Sequence, residues 1–297
     1  MKYLKTITIL AVAAILAGSC KKDDDTTTTY SYLNGIATMQ SMPAFVAPGQ
    51  VFDFEASGVS LPSDATSDVE LVCRFKTSLE SEYTDCPDCK YHVVVPDTAS
   101  TFSVTCAFSA TGYYGSSYTT HTIILTEGSV PKPVKVQGNN EFTDRRDGST
   151  YLTAWIGGSE WMRSNLVYGG KPFLNSETAR GFMGSFYTWS EAQAACPAGW
   201  RLPKAEEFEA LNLNAGAYMM PDAAINSEKM WPGEGWPLVD ANDASGFSAM
   251  PLGYASVVGS DCEFAGYGQY AVFWASESGA PCCFYLSESM ESFTKWT

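Results

Sequence analysis

The spacing that most directly points to chemistry is a pair of cysteines two residues apart, Cys86-Pro87-Asp88-Cys89. Such a C-x-x-C pair can be a redox site, half of a metal site or a local disulfide. Redox pairs lie at a helix N-terminus within a βαβ unit, whereas the surrounding sequence predicts strands. Zinc needs two further soft ligands, and Cys73 and Cys106 are predicted to lie in the core. A disulfide within the loop is therefore favoured, with metal and redox chemistry as alternatives.

The positions of the nine cysteines also divide the chain. Apart from Cys20, four precede and four follow the segment 128–137, whose two prolines favour an extended linker. An even number on each side predicts two disulfide-stabilised domains, 33–127 and 138–297.

The first domain shows the alternation of period two that is typical of strands. In 101–108, every second residue from 102 onward is apolar, and most of the others carry hydroxyl groups. Several such strands, separated by turn residues, predict an antiparallel immunoglobulin-like β-sandwich. Cys73 and Cys106 both face inward in this pattern, so a buried bridge between them is the favoured pairing. His92 and His121 are interpreted as core histidines rather than metal ligands. The predicted inward faces comprise Phe52, Phe54 and Ala56, then Leu71, Cys73 and Phe75, and finally His121, Ile123 and Leu125.

The N-terminus reads as a targeting segment. In 1–19, two lysines precede an apolar run that is too short to span a bilayer, which is typical of a secretory signal peptide. The ending Leu-Ala-Gly-Ser before Cys20 resembles the lipobox of bacterial lipoproteins, which implies that Cys20 is lipidated and anchors the chain to a membrane. The polar, acidic segment 20–32 predicts a tether. It resembles the export signal of Bacteroidetes-type lipoproteins and implies display at the surface of the outer membrane; a plain soluble stalk is the alternative.

An ordered series of motifs in 138–297 closely resembles the Fibrobacter succinogenes major paralogous domain family of secreted and lipid-anchored bacterial surface proteins. The blocks that carry the resemblance are Asp144-Arg145-Arg146-Asp147-Gly148, Glu160-Trp161-Met162-Arg163, Phe186-Tyr187-Thr188-Trp189, Cys196-Pro197-Ala198-Gly199-Trp200-Arg201-Leu202-Pro203, Gly246-Phe247-Ser248-Ala249-Met250-Pro251-Leu252-Gly253-Tyr254 and Phe273-Trp274-Ala275-Ser276-Glu277.

The residues of these blocks predict two short helices. Thr188 and Glu191 fit a capping box that starts the first helix, and Pro197 ends it. The second begins near Pro203, with Phe208 and Leu211 facing inward and acidic residues near its positive end.

The spacing of these helices is similar to the opening of C-type-lectin-like domains and implies an α+β fold of that kind. The resemblance further implies bridges Cys196–Cys283 and Cys262–Cys282, although the adjacent residues 282 and 283 can exchange roles. The calcium-and-sugar signature of true C-type lectins is absent from the sequence.

No cofactor is therefore expected from the resemblance, and calcium remains a weak alternative. Its ligands would be Asp240, Asn242 and Asp243, whose spacing departs from a calcium loop.

A loop rich in glycine and proline is the favoured ligand-binding segment. It carries Trp231, Glu234 and Trp236, and its two indole rings could present flat faces to a sugar or a peptide. The alternative is that one or both tryptophans fold back into the core.

Charge and composition narrow the function. With 18 Lys+Arg against 33 Asp+Glu, the net charge of −15 disfavours nucleic acid as a partner. The sequence favours a binder of an extracellular glycan or protein, of the adhesin or pilus-tip type. Alternatives are a structural surface or pilus subunit, which would assemble with other subunits, and an enzyme of the formylglycine-generating fold group. No catalytic residue is predicted, because no nucleophile–base motif or phosphate loop is present.

Overall fold

A computed structural model describes residues 30–126, 140–211, 246–259, 261–287 and 292–296. Over these residues the chain is rich in β-strands, and its helices all lie beyond residue 172. The described chain forms two compact units. The first unit comprises 30–42, 49–96 and 102–122, and the second comprises 43–48, 97–101 and the described residues from 123 onward.

The strands are short and follow one another closely along the chain. In chain order they are β1 (Ser31–Tyr32), β2 (Asn34–Thr38), β3 (Phe45–Val46), β4 (Val51–Glu55), β5 (Ser57–Ser60), β6 (Val72–Thr77), β7 (Thr84–Asp85), β8 (Lys90–Val94), β9 (Thr101–Ser109), β10 (Tyr113–Tyr114), β11 (Ser116–Ile124), β12 (Asn140–Thr143), β13 (Thr150–Ile156), β14 (Ser159–Met162), β15 (Lys171–Pro172), β16 (Ser185–Phe186), β17 (Tyr254–Val258), β18 (Asp261–Ala265), β19 (Tyr270–Glu277), β20 (Ala280–Ser287) and β21 (Thr294–Lys295). The helices are α1 (Glu177–Met183), α2 (Trp189–Ala195) and α3 (Ala205–Leu211), with a 3-10 turn at Phe173–Asn175.

The first unit is built around strands β11, β9, β6 and β7, which neighbour one another in that order. Antiparallel pairs β2–β5 and β4–β8 complete most of its strand pairing. The predicted alternation in 101–108 is confirmed, because Phe102, Val104, Cys106 and Phe108 are all buried. The unit is thus β-rich, as its period-two pattern indicates.

The prediction for the two histidines is wrong. Both are exposed, and the Nδ1 atom of His92 lies 2.8 Å from a carboxylate oxygen of Asp53 on the opposite strand. In β11 the buried face carries Thr120 and Thr122 instead of His121. Threonine can occupy this face because its hydroxyl finds a partner: Thr120 Oγ1 accepts a hydrogen bond of 2.7 Å from a backbone N–H.

Parts of the chain before the predicted linker pack within the second unit. These are the segments 43–48, 97–101 and 123–126. Phe45 and Leu125 are buried in the core of this unit, and the ring of Phe45 lies 5.8 Å from that of Phe173. Ser176 Oγ donates a 2.8 Å hydrogen bond to the carbonyl of Phe45. The linker 128–137 itself lies outside the described residues.

The second unit combines several small antiparallel sheets with the three helices. Its two largest sheets have the strand orders β12–β13–β14 and β19–β20–β21. Phe208 on α3 lies at the centre of the core, and its ring stacks on that of Phe284 at 4.9 Å. The helix therefore packs against the buried face of the sheet β19–β20–β21.

The predicted capping box is confirmed. The side chain of Thr188 accepts the backbone N–H of Glu191, and the Glu191 carboxylate accepts the backbone N–H of Thr188 at 2.8 Å. Helix α2 runs from Trp189 to Ala195, and Pro197 follows its end. In α3, Phe208 and Leu211 face inward as expected.

Candidate functional site

The sheet β19–β20–β21 presents one apolar face to the core and a second apolar face outward. Side chains on an antiparallel sheet alternate between its faces, and an outward face is usually polar. Here the buried face carries Ala271, Ala275, Phe284 and Leu286. The strand register puts the following half-buried or exposed residues on the other face: Tyr270, Val272, Trp274, Cys283, Tyr285 and Trp296.

At one end of this face, an exposed indole is surrounded by tyrosine rings. Trp296 is 44% exposed, and its ring lies 5.3 Å from Tyr254, 5.3 Å from Tyr285 and 6.2 Å from Tyr270. The first two contacts are edge to face, the arrangement that aromatic pairs prefer. These four residues are called the Trp296 platform. The backbone N–H of Trp296 donates to the Cys283 carbonyl at 2.9 Å, which ties the platform to β20.

The other end of the same face is covered by helix α2. Trp274 packs edge to face against Trp189 with ring centroids 5.7 Å apart. Its indole N–H donates a 2.8 Å hydrogen bond to the Tyr187 carbonyl. Trp274 is therefore a structural residue, and the accessible part of the face is the Trp296 platform.

A groove of about 1160 Å³ runs along this part of the unit. Trp274 on β19, Trp296 after β21 and Tyr254 on β17 line one side of it. Trp155 and Trp161 line it from the β13–β14 hairpin. The groove is large enough for a ligand of several rings, because small-molecule sites typically span about 300–1000 Å³.

The acidic group Glu207 in the groove wall is held by several donors. Arg201 pairs with its carboxylate through two nitrogens, at 2.7 and 2.8 Å. Ser159 Oγ and the backbone N–H of Lys204 each donate to it at 2.8 Å. The Arg201 guanidinium and these further donors outweigh burial and lower the pKa of Glu207 to about 2. The carboxylate therefore stays ionised and fastens β14 and the loop before α3 to the helix.

The family model of the Fibrobacter succinogenes major domain matches residues 155–282. The second unit contains a Fibrobacter succinogenes major domain. Of the Trp296 platform, Tyr254 and Tyr270 fall within the matched residues, and Tyr285 and Trp296 follow them. Searches of curated proteins and of solved structures gave no significant match.

We expect Glu207→Gln to lower the free energy of unfolding of the major domain by about 1–2 kcal/mol at pH 7. The folded-state pKa of about 2 lies below the ordinary value of 4.5. The stabilisation is therefore present above pH 4.5 and disappears as the pH falls toward 2. Urea unfolding followed by tryptophan fluorescence at pH 7 and at pH 2.5 measures it, since all eight tryptophans lie at residue 155 or beyond.

The matched control for this change is Glu206→Gln. Glu206 is the preceding residue on α3, is exposed, and only approaches Lys204 at 3.9 Å. Its replacement should change stability by less than about 0.5 kcal/mol. A loss of equal size for Glu207→Gln at both pH values would contradict the assigned role of the ionised carboxylate.

The loop 144–148, just before the major domain, joins β12 to β13 and is fastened to α2. Asp144 is buried and accepts hydrogen bonds from the Arg146 side chain at 2.6–3.1 Å. Arg146 also donates to the Ala195 carbonyl at 2.7 Å and lies 3.9 Å over the ring of Tyr168. Hydrogen bonding from Arg146 lowers the pKa of Asp144. The segment 144–148, which is the first motif of the family resemblance, therefore has a structural role that does not require a ligand.

The residues that the sequence predicts to bind a ligand lie outside the described residues. They are Trp231, Glu234 and Trp236, together with the weak calcium set Asp240, Asn242 and Asp243 and the lipidation residue Cys20. Within the described residues, no group of three histidine, cysteine or acidic side chains could hold a metal ion.

The four cysteines of the second unit lie on three elements. Cys196 ends α2 and lines the groove together with Cys282 and Cys283. Adjacent residues of β20 face opposite ways, so Cys283 shares the outer face with Trp274 while Cys282 packs against the core. Cys262 on β18 is opposite Val257. The described cysteines form no disulfide in this structure, and the predicted pairs stay predictions.

Sequence reasoning missed the Trp296 platform. The available signal was the continuous apolar character of 270–275 and 281–286, which indicates a sheet without a polar face. Which aromatic residues meet depends on the register of β19, β20 and β21, and period-two patterning does not supply that register.

Proposed function

We propose that this chain is a surface-anchored lipoprotein whose major domain binds an extracellular glycan at the Trp296 platform. The observation that carries the proposal is the partly exposed indole of Trp296, held by three tyrosine rings at the edge of an open groove. An exposed tryptophan on a sheet that binds no ligand would promote aggregation.

The chemistry of the platform suits a sugar ring. One face of a pyranose consists of C–H groups that pack on a flat aromatic ring, while its edge carries hydroxyls that need polar partners. Tryptophan and tyrosine provide large contact areas with few rotatable bonds, so little entropy is lost on binding. The groove adds polar side chains such as Ser159 and Asn165 that can meet hydroxyl groups. A glycan is therefore preferred over a purely apolar ligand.

Attachment to the outer membrane is the second part of the proposal. It is supported by the signal-like segment 1–19, by Cys20 in its lipobox-like context and by the acidic tether 20–32. None of the helices in the described parts of the chain is long and apolar enough to span a membrane. A lipid on Cys20 with the tether would hold the two units outside the bilayer.

The third part of the proposal is a specific fold for each of the two units. We infer an immunoglobulin-like sandwich for the first unit from its short, mostly antiparallel strands, and a C-type-lectin-like fold for the second. Support for the latter is the pair of short helices α2 and α3, which precede an antiparallel sheet. In this arrangement the first unit would be a spacer, and the second would carry the ligand site.

Thiol chemistry in the groove is disfavoured by burial. Desolvation raises the pKa of Cys283 to about 11 and raises the pKa of Cys196 above its ordinary value. Nucleophilic cysteines need the opposite shift, because the thiolate is the reactive form. We therefore propose a binding role for this groove rather than a cysteine-dependent enzyme.

The proposal is tested by screening the full chain on a glycan array and then measuring the affinity for the best-binding glycan by calorimetry. We expect Trp296→Ala to weaken this affinity about 5- to 150-fold, since loss of one aromatic stacking contact costs roughly 1–3 kcal/mol. Trp296→Phe, which keeps a flat ring, should retain more of the affinity. Thermal unfolding of each variant verifies that the domain remains folded.

Tyr32→Ala provides the control, because Tyr32 is a highly exposed aromatic residue of the first unit, outside the groove. Its affinity for the glycan should equal that of the unaltered chain. Absence of glycan binding on the array, or an unchanged affinity in folded Trp296→Ala, would overturn the proposal.

A further inference from the structure

Three exposed tyrosines of the first unit lie together at one of its strand ends. Strand β1 lies parallel to β10, and the register pairs Tyr32 with Tyr114. The ring of Tyr114 lies 5.0 Å from that of Tyr32 and 5.5 Å from that of Tyr30. The exposed fractions are 47% for Tyr30, 74% for Tyr32 and 49% for Tyr114. These three residues are called the tyrosine cluster.

The neighbouring strand β2 adds an exposed aliphatic side chain. Ile36 on this strand is 74% exposed. The N–H of the next residue, Ala37, donates a 2.9 Å hydrogen bond to Ser116 Oγ, two residues beyond Tyr114. This contact places Ile36 near the strand end that carries the tyrosine cluster.

Charge is distributed unevenly over the first unit. All of its described acidic, lysine and arginine side chains lie in 49–96, and the segments 30–42 and 102–122 contain none. The charged segment carries nine carboxylates and three cations. The tyrosine cluster and Ile36 therefore belong to uncharged segments of a chain whose net charge is −15. Exposed aromatic and aliphatic side chains in such a setting are typical of a contact surface.

The position of the cluster along the chain identifies the partner. Tyr30 follows by ten residues Cys20, which the proposed function assigns as the lipidated residue. The segment between them is predicted to be a tether. A flexible tether of ten residues spans roughly 15–20 Å on average and about 35 Å when fully extended. The cluster therefore stays within reach of the bilayer surface, at a high effective concentration.

Tyrosine suits the headgroup region of a bilayer. Its ring is apolar and its hydroxyl forms hydrogen bonds, and tyrosine is enriched at membrane–water interfaces for this reason. A surface without carboxylates is not repelled by the phosphate groups of the lipids, whereas the acidic segment 49–96 is. The charge distribution therefore favours one side of the first unit for contact with the bilayer.

We propose that the tyrosine cluster contacts the headgroup region of the bilayer that holds the lipid on Cys20. This contact depends on the proposed function, because three tyrosines bind a bilayer durably only when an anchor keeps them close to it. The contact orients the first unit, with its uncharged segments 30–42 and 102–122 toward the lipid and the charged segment 49–96 toward water.

Hydroxyl-radical footprinting of the full chain measures this contact, since oxidation of a side chain follows its exposure to water. The lipidated chain on phosphatidylcholine vesicles is compared with the Cys20→Ser chain in solution, and oxidised residues are quantified by peptide mass spectrometry. We expect the cluster to be oxidised at least about threefold more slowly on vesicles, because interfacial rings are largely withdrawn from water. The effect should be equal at low and high salt, since no charged group is involved. Tyr83, which is 39% exposed and lies in the charged segment, should be oxidised at the same rate in both states.

The double variant Tyr32→Ser with Tyr114→Ser separates contact from proximity to the bilayer. On vesicles, its Tyr30 should be oxidised as fast as in the same variant with Cys20→Ser in solution. In the matched control Tyr83→Ser, the protection of Tyr30 should persist. Thermal unfolding verifies that both variants are folded. Protection of Tyr30 that persists in the double variant would contradict the contact.

Flotation of the vesicles separates failure of the contact from failure of the anchor. Unprotected tyrosines in a chain that floats with the vesicles would overturn the contact and leave the lipid anchor intact. A chain that does not float with them would overturn the anchor, and the contact with it. Protection that increases with the density of the chain on the vesicles would indicate a second copy as the partner and would likewise overturn the proposal.

Discussion

Phe208→Ala is expected to lower the free energy of unfolding of the second unit by about 3–5 kcal/mol. The Phe208 side chain is 1% exposed and lies within 4.9 Å of two other aromatic rings, Phe284 and Phe293. It also packs against Trp161 at 5.3 Å. Truncation would leave a cavity between α3 and the sheet β19–β20–β21, and such rigid surroundings collapse only partly.

Urea unfolding monitored by tryptophan fluorescence measures this loss, because every tryptophan of the chain follows residue 154. Phe208→Leu, which keeps much of the volume, should cost less than about 1.5 kcal/mol. Val257→Ala removes a side chain that is 63% exposed and should change stability by less than about 0.5 kcal/mol. Equal losses in Phe208→Ala and Val257→Ala would contradict the placement of Phe208 at the centre of the core.

Gly253→Ala should be the second most damaging change, with an expected loss of about 3 kcal/mol. Gly253 has a φ of +71°, and a Cβ atom there would lie 2.1 Å from the Ala265 carbonyl oxygen and 2.6 Å from the Tyr267 nitrogen. Both are backbone atoms and cannot rotate away. The N–H of Gly253 donates to the Tyr270 carbonyl at 2.7 Å, so any shift would disturb the strand that carries the platform.

Gly279→Ala is the matched control for this change. Gly279 has a similar φ of +86°, but nothing lies within 4 Å of an added Cβ atom. Gly279→Ala should lower the free energy of unfolding by about 1 kcal/mol, which is the cost of placing an alanine in the left-handed conformation. If the two variants lose equal stability by urea unfolding, close backbone approach at Gly253 is not the reason for its glycine.

The two stability predictions also bear on the proposed ligand site. Phe208 supports the buried face of the sheet whose outer face carries Trp296, and Gly253 precedes Tyr254 of the platform. Phe208→Ala should therefore weaken glycan binding only in proportion to the unfolded fraction. Trp296→Ala should instead weaken binding without loss of the fold, which separates a direct contact from a structural effect.

Local sequence patterns predicted the elements that depend on neighbouring residues. The capping box of Thr188 and Glu191 forms within one helical turn, so its spacing alone is sufficient. The alternation of apolar and polar residues in β9 is likewise local, because successive side chains of a single strand point alternately into the core and away from it. The same rule failed for His121, because Thr120 and Thr122 lie on the buried face of β11. Their hydroxyls have partners there, so a polar side chain in this strand does not indicate exposure.

Most features that the sequence did not predict depend on contacts between residues that lie far apart along the chain. Ser176 binds the carbonyl of Phe45, 131 residues earlier, and this links the segment 43–48 to the core of the second unit. The sequence pattern placed Phe45 in the first domain because nothing local distinguishes the two cores. Cys73 and Cys86 similarly lie opposite each other only because the register aligns β6 with β7.

By itself, the sequence determined the β-rich character, the short helices α2 and α3, and the major domain, because capping motifs, alternation and ordered motif blocks are local. Only the tertiary structure decided that Tyr254, Tyr270, Tyr285 and Trp296 surround one another. These residues come from four strands or strand ends, and their distance depends on strand register. Hydrophobic burial is non-directional, so a pattern of apolar residues identifies a face without specifying which aromatic rings share it.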